Sequence, residues 1–315
     1  MTEQSSHDAA PLKKPHSISN PNTLYLVDSS IYIFRAWHTL PDSIQSLSGA
    51  PVNALYGFVD FLLQIHQQTQ ADYLVCAFDQ SLATSARNDI YPPYKANRDP
   101  APQDLKNQFA LCRQVVKLMG YREFAHPRFE ADDIIGTLAQ SATQQNFSNC
   151  IVSGDKDLTQ FVGEQDVYWN YARKQKMDAA AVEKRFGVKP RQIADMLAIS
   201  GDKVDNIPGI PGVGMATAAK LLKKWGTLDN LFKHSDDVAQ MKFRGAARVS
   251  ELLAKHKEDV LLARQLTGLL TVDGLPTAIK DLKRQPADAD KLAQFFKQQG
   301  YGAQRQQQLL QAFCN

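Results

Sequence analysis

The sequence predicts an α/β domain with a mainly parallel sheet, followed by an all-helical module. Two observations carry this. Short apolar runs alternate with amphipathic helical stretches up to about residue 180, and beyond that point only helical patterns and turns remain. The strand-like runs are residues 23–28, 73–79 and 150–155, each apolar nearly throughout, as expected of a parallel strand covered on both faces. Between them, Asn53 is placed to cap a helix carrying Leu55, Phe58, Val59, Leu62 and Ile65 on one face. Asp104 opens another, with Leu105, Phe109, Cys112, Val116 and Met119 at spacings of three and four, and Gly120 closes it.

Composition excludes several classes. A hydrophobic content of 43% with 22% charged residues excludes wholesale disorder. No apolar run reaches the roughly 18 residues that a membrane span requires, so no membrane association is expected. Residues 1–22 are rich in Ser, His, Pro and Asn and lack the apolar stretch of a signal peptide; they read as a disordered tail. Cys76, Cys112, Cys150 and Cys314 are isolated, which argues against a disulfide framework or zinc site and for a reducing cytoplasm.

All three strand-like runs end in aspartate: Asp28, Asp79 and Asp155. The carboxyl ends of parallel strands share one edge, where ligands bind. Glu130, Asp132 and Asp133 precede the helical pattern of Ile134, Ile135 and Leu138, and one acid there would suffice to complement the helix dipole. Asp157 follows Asp155 by two residues, and Asp202 and Asp205 precede a Gly-rich turn. Two carboxylates about 4 Å apart repel by roughly 4 kcal/mol at an effective dielectric near 20. Several such pairs would rival the roughly 5–15 kcal/mol stability of a domain, so converging acids need cations. Oxygen-only ligation points to Mg²⁺ or Mn²⁺, and this many carboxylates point to two or more ions, an arrangement suited to displacement at phosphorus.

With those nine acids set aside, 24 acidic residues remain against 36 Lys and Arg, leaving a basic body around an acidic centre, as a polyanion ligand requires. The segment 87–98 combines Arg87, Lys95 and Arg98 with Tyr91 and Tyr94, offering phosphate contacts and a stacking face. Lys106, Arg113 and Lys117 read as solvated surface. Residues 207–214, with Gly209, Gly212 and Gly214, form a hairpin between one helix with Ile193, Met196 and Leu197 and another with Leu221, Leu222 and Trp225. Thr217 lies in the first turn after it. This is a helix-hairpin-helix pattern that grips a nucleic-acid backbone without reading sequence. Lys220, Lys223 and Lys224 add positive charge to its second helix, and Lys242 and Arg244 are a further candidate backbone contact.

Val-Asp28-Ser-Ser, Phe-Asp79, Tyr94-Lys95-Ala-Asn-Arg98, Glu130-Ala-Asp132-Asp133, Ser-Gly-Asp155-Lys-Asp157 and Gly-Asp202-Lys-Val-Asp205-Asn-Ile-Pro-Gly occur in that order. In them the sequence resembles the 5′-nuclease family, most closely the 5′→3′ exonuclease domain of bacterial DNA polymerase I and the stand-alone bacterial and phage 5′-exonucleases. The resemblance implies a three-layer PIN-like nuclease domain over residues 23–185, with a helical arch at about 80–108. A helix-hairpin-helix (H3TH) DNA-binding domain over 186–285 and a C-terminal helical extension over 286–315 would follow.

It implies one metal cluster of Asp28, Asp79, Glu130, Asp132 and Asp133, with Asp155 and Asp157 bridging toward a second that includes Asp202 and Asp205. Tyr94, Lys95 and Arg98 match arch residues that grip the 5′ single strand, and Arg35 matches a phosphate contact. The hairpin would bind duplex backbone with a K⁺ ion at its carbonyls. Met215-Ala216 precedes Thr217 where family members often carry Lys, which removes one phosphate contact.

The expected activity is metal-dependent hydrolysis of DNA at 5′ flaps, nicks and ends, in replication and repair. The chain is expected to act as a monomer in the nucleoid-associated cytoplasm, without a polymerase domain; a polymerase partner is compatible, with no residue pointing to one. A small-molecule phosphatase would share the acidic edge but has no use for the hairpin. A non-catalytic flap-binding factor has no use for nine carboxylates.

Overall fold

The computed structural model describes residues 22–80 and 84–314, so nearly all of the expected tail at 1–22 lies outside the described residues, as do positions 81–83 of the expected arch. In chain order, β1 (Thr23–Asp28) leads directly into α1 (Ser29–Thr39), then α2 (Asn53–Thr69), β2 (Tyr73–Asp79), α3 (Ala86–Ile90) and α4 (Gln103–Leu118). β3 (Arg122–His126), α5 (Ala131–Gln144), β4 (Ser148–Val152), β5 (Val167–Asn170) and β6 (Gln175–Met177) complete the sheet. The helical part comprises α6 (Ala179–Phe186), α7 (Ile193–Ser200), α8 (Met215–Trp225), α9 (Leu228–Lys233), α10 (Ala246–Lys255) and α11 (Lys257–Thr267). Two helices close the described chain, α12 (Ala289–Gln298) and α13 (Ala303–Cys314).

The strand order is β3-β2-β1-β4-β5-β6, parallel except for β6. Because side chains alternate across a strand, the apolar runs supply both faces: Leu24, Leu26, Val75, Ala77 and Ile151 enter one core, while Tyr25, Val27, Leu74, Cys76, Phe78, Cys150 and Val152 enter the other. The first core is continuous with α5 and the helical module. The second is covered by α1, α2 and α4, and by α12 and α13 through Leu292, Phe295, Phe296, Leu309 and Phe313. The helices predicted as a terminal extension therefore pack back onto the sheet domain. The order reverses between β1 and β4, so the crevice at their carboxyl ends is the switch point where α/β sheets bind ligands.

Several local expectations need correction. Asn53 is not a cap: Val52 holds that position without a side-chain bond, and the Asn53 amide instead donates to the carbonyls of Trp37 and Leu40 at 3.2 and 3.0 Å, fixing the α1–α2 loop. Strand β4 stops at Val152, three residues before Asp155, whose carboxylate accepts from the Asp157 amide and starts a short 3₁₀ helix, Lys156–Phe161. Arg113 and Lys117 are not idle surface, since both pair with Glu123 of the edge strand β3, at 2.7 and 2.8 Å. Among the described residues, no helix is long and apolar enough to cross a membrane.

Candidate functional site

Chain connectivity alone delivers Asp28 and Asp79 to the carboxyl edge of adjacent strands. Asp28 is 6% exposed and accepts from the Ser153 hydroxyl at 2.7 Å, which ties the end of β1 to the chain leaving β4. Asp79 accepts from the amide of Ala131 at 2.9 Å, so the amino end of α5 docks on the tip of β2. That docking brings Asp132 into the row. Asp202 and Asp205 come from the helical side, on a small loop closed by reciprocal backbone bonds between Asp202 and Ile207 at 3.0 and 2.7 Å, with the Val204 amide bound to Asp202 at 2.8 Å.

Electrostatics show that these acids share one region. Burial, then the neighbouring Asp79, pushes the Asp28 carboxyl up to about 7. Burial and Asp155 do the same to Asp157, also to about 7, and raise Asp132 well above the carboxylate range, with Asp28 and Asp79 adding to the effect. Three other acids, and Asp157 itself, lie against cations. The Lys95 ammonium stands 2.6 Å from Glu130 and 3.6 Å from Asp205, Arg98 pairs with Asp205, and Lys156 stands 2.8 Å from Asp202 and 3.1 Å from Asp157. Burial would raise Glu130 and Asp202, but Lys95 and Arg87 for the first, and Lys156 for the second, hold both below their ordinary values. Among the described residues, no three of these carboxylates close on a single point as the ligands of one ion do. Like charges hold them apart, and basic groups stand between them.

Asp133 and Arg87 do not fit their sequence assignments. Asp133 is 1% exposed, and both its oxygens accept from the Arg87 guanidinium, at 2.6 and 2.8 Å. It also accepts from the Leu270 amide at 3.0 Å and completes a capping box with Glu130. No lone pair is left facing the acidic row, so Asp133 is not a metal ligand. Arg87 is 5% exposed and donates further to the carbonyls of Leu266 and Gly268 at 2.8 and 3.0 Å, so it cannot reach DNA; the pair bolts α3 and α5 to the end of α11. Tyr94 is 4% exposed and offers no stacking face. Its hydroxyl donates to Glu130 at 3.1 Å and positions that acid.

Lys95 lies in the left-handed region at φ 53°, a costly conformation for a side chain of this type, and its amide donates to the Asp205 carbonyl at 3.0 Å. With Asn206 donating to the Pro93 carbonyl at 2.7 Å, the predicted arch segment is seated on the Asp202–Ile207 loop at this point. Arg35 is exposed on α1, two turns beyond Asp28. Lys156, which the sequence reading quoted but did not assign, and Ser153 are the residues it missed. The alternation Asp155-Lys156-Asp157 was the available signal for the first.

In the hairpin, Gly214 caps the start of α8, and Gly212 (φ 81°) and Gly214 are open to solvent, as are Lys220, Lys242 and Arg244. Thr217 sits partly exposed in the first turn, its amide on the Gly214 carbonyl at 3.0 Å. Gly209 differs from the sequence expectation. A Cβ there would meet the Gly201 nitrogen at 2.2 Å, so this glycine permits the backbone of the hairpin to pack on the end of α7 and makes no outward contact. Gly209→Ala is therefore expected to destabilise the helical module by at least about 1–3 kcal/mol through overpacking, measured as a fall in melting temperature, whereas Gly212→Ser is expected to cost less.

A cleft of about 350 Å³ opens beside Asp155, Asp157, Asp202 and Asp205, with Arg173 of the β5–β6 turn and Arg185 of α6 also lining it. A larger one, about 410 Å³, lies at the other end of the sheet beside Gly120–Phe124 and contains none of the predicted site residues.

A 5′-3′ exonuclease N-terminal resolvase-like domain model matches residues 23–187, and a 5′-3′ exonuclease C-terminal SAM-fold model matches residues 188–290. The 5′-3′ exonuclease of Aquifex aeolicus is 38% identical over 272 residues, covering 86% of this chain and 90% of that protein. DNA polymerase I of Bacillus caldotenax is 34% identical over 283 residues, covering 88% of this chain but 31% of the polymerase. In fold, the chain resembles the D15 protein of T5, solved with metal ions (TM-score 0.61, 18% identity, covering 92% of this chain and 98% of that one). It also resembles the catalytic core of Rad2 in complex with DNA (TM-score 0.63, 17% identity, covering 93% and 92%).

Proposed function

The chain belongs to the 5′-3′ exonuclease family, and from that premise we propose that it hydrolyses DNA phosphodiesters at 5′ ends, nicks and 5′ flaps with the help of two or more Mg²⁺ or Mn²⁺ ions. The observation that carries the reading is the row of carboxylates at the sheet's switch point, three of which burial and mutual repulsion push above their ordinary values. The residues fit hard divalent ions: every donor is a carboxylate oxygen, and one buried oxygen of Asp157 is met by the Lys156 ammonium alone, at 3.1 Å. The proposed holders are Asp28, Asp79, Asp132 and Asp155, with Asp157, Asp202 and Asp205 beside them and Glu130 one layer back. Ions held there would supply positive charge that activates water and steadies the leaving oxygen.

The chain's own cations do the rest. Lys95 and Arg98 donate to the non-bridging oxygens of the scissile phosphate, Glu130 and Asp205 holding them in place beforehand. Arg35 takes a neighbouring phosphate of the same strand. Gly212, Gly214, Thr217 and Lys220 receive duplex backbone, with K⁺ at the hairpin carbonyls and Lys242 and Arg244 as outer contacts. The products are a 5′-phosphate and a 3′-hydroxyl. A monomer in the nucleoid-associated cytoplasm belongs to the same proposal.

The direct test is a labelled 5′-flap duplex incubated with Mg²⁺ and then with excess chelator: cleavage that stops on chelation supports the proposal, and cleavage indifferent to both refutes it. Asp205→Asn is expected to raise the Mg²⁺ concentration for half-maximal cleavage by roughly tenfold or more, by analogy with disturbed metal sites; an unchanged requirement contradicts its placement.

Acid titration gives a further expectation. Asp28 and Asp157 ionise near 7 in the fold but near 4 in an unfolded chain, so the unfolded state gives up its protons first. Their contribution is fully present below about pH 4 and is lost as pH rises through about 7. Mg²⁺ is therefore expected to raise the melting temperature by several degrees at pH 8 and by much less at pH 5, read by differential scanning fluorimetry. Equal shifts at both pH values contradict the assignment.

A further inference from the structure

Arg173 and Arg185 share a cleft with Asp155, Asp157, Asp202 and Asp205, yet neither makes an ion pair among the described residues. This is unusual company for an unpaired arginine, because Lys95, Arg98 and Lys156 all lie against acids of the same group. Local structure accounts for it. Arg185 donates to the Gln175 side chain at 3.1 Å and lies over the Phe186 ring, 5.4 Å from its centroid, which hold the guanidinium on the α6 side of the cleft. Arg173 sits in the β5–β6 turn, its amide bonded to Asn170 at 3.0 Å, and its guanidinium has no partner among the described residues. The cleft thus keeps two forked cations apart from its anions, and a phosphodiester is the ligand whose geometry and charge suit both.

The packing links the cleft to the hairpin to which the proposed function gives duplex DNA. α6 rests against α8, the second helix of the hairpin, with Gly187 against Ala219. Lys95 and Arg98 lie instead on the segment seated over Asp205 and Glu130. We propose that Arg173 and Arg185 hold the first backbone phosphates on the 3′, duplex side of the scissile bond, setting where along the strand cleavage falls. The inference rests on the nuclease reading and extends it to two residues outside the acidic row and the arch segment.

The test measures binding and cleavage separately. Fluorescence anisotropy of a labelled 5′-flap duplex in Ca²⁺, over a series of salt concentrations, compares the full chain with the Arg173→Ala/Arg185→Ala variant. The variant is expected to bind about tenfold or more weakly and to lose about one to two units of the salt slope, one per phosphate contact. In Mg²⁺ the loss is expected in KM, with kcat within a few-fold and cleavage spread over neighbouring bonds. Neutral methylphosphonate linkages placed at the first two positions 3′ of the scissile bond are expected to weaken the unsubstituted chain but not the variant. Both arginines are exposed, so an unchanged melting temperature is expected and guards against misfolding. Unchanged affinity and slope, or a methylphosphonate penalty equal in both proteins, overturns the inference. An unsubstituted chain that neither binds nor cleaves the flap overturns the nuclease reading itself, and this inference with it.

Discussion

Lys95→Ala is expected to lower kcat on a 5′-flap substrate by a hundred- to a thousandfold while changing flap affinity by less than tenfold. The size is that of removing one preorganised donor from a phosphate or oxyanion as charge develops on it, about 2.7–4 kcal/mol. The structure supplies the preorganisation: the ammonium is held between Glu130 and Asp205, and the backbone pays for a left-handed conformation to place it there. Burial opposes the charge, but Glu130 leads the neighbours that overcome it, so the ammonium stays protonated well beyond neutral pH. A group so fixed contributes more to the transition state than to binding, since the proposed function gives most of the contact with the polyanion to the hairpin and the outer arginines. Single-turnover cleavage and anisotropy binding separate the two. Losses of equal size in both would make Lys95 a general phosphate contact.

Asp133→Ala is expected to lower stability by about 3–5 kcal/mol, because it leaves the Arg87 guanidinium buried without its counter-charge. For a domain of this size that corresponds to a fall of roughly 6–20 °C in melting temperature. Folded protein at low temperature should still bind divalent ions as the parent does, since Asp133 faces Arg87 and not the acidic row. Replacing both partners at once, Arg87→Met with Asp133→Leu, is expected to recover much of the loss, although the carbonyls of Leu266 and Gly268 would lose their donor. A variant that melts like the parent but fails to bind ions would restore Asp133 to the ligand set and refute the structural role.

These two residues also show where the sequence was readable and where it was not. Asp28 and Asp79 could be placed because each ends a run apolar on both faces, and the chain has no choice about where such a strand puts its last residue. Asp155 came out near the same edge despite a strand end three residues early, because the intervening Ser153 and Gly154 merely carry the chain over the crest. Asp132 and Asp133 are adjacent, and nothing local separates them; their fates diverge because helix rotation turns one toward Asp155 and the other toward an arginine 46 residues away. For the same reason Arg87 read as a phosphate contact. β5 and β6, of four and three residues, are too short for any period to register, and β3 carries Arg, Glu and His because it lies at the sheet's edge. The hairpin glycines were legible as a motif, but only the packing of α7 distinguishes Gly209, which lets two backbones touch, from Gly212 and Gly214, which face outward.

Calorimetric titration of Mn²⁺ into the metal-stripped chain, run in parallel with the Asp28→Asn/Asp155→Asn variant, addresses the shared-ion claim most directly. The account predicts saturable binding of at least two ions per chain, accompanied by proton release near neutral pH, with at least one ion lost in the variant. No saturable binding, or the same stoichiometry and affinity in both proteins, would contradict it.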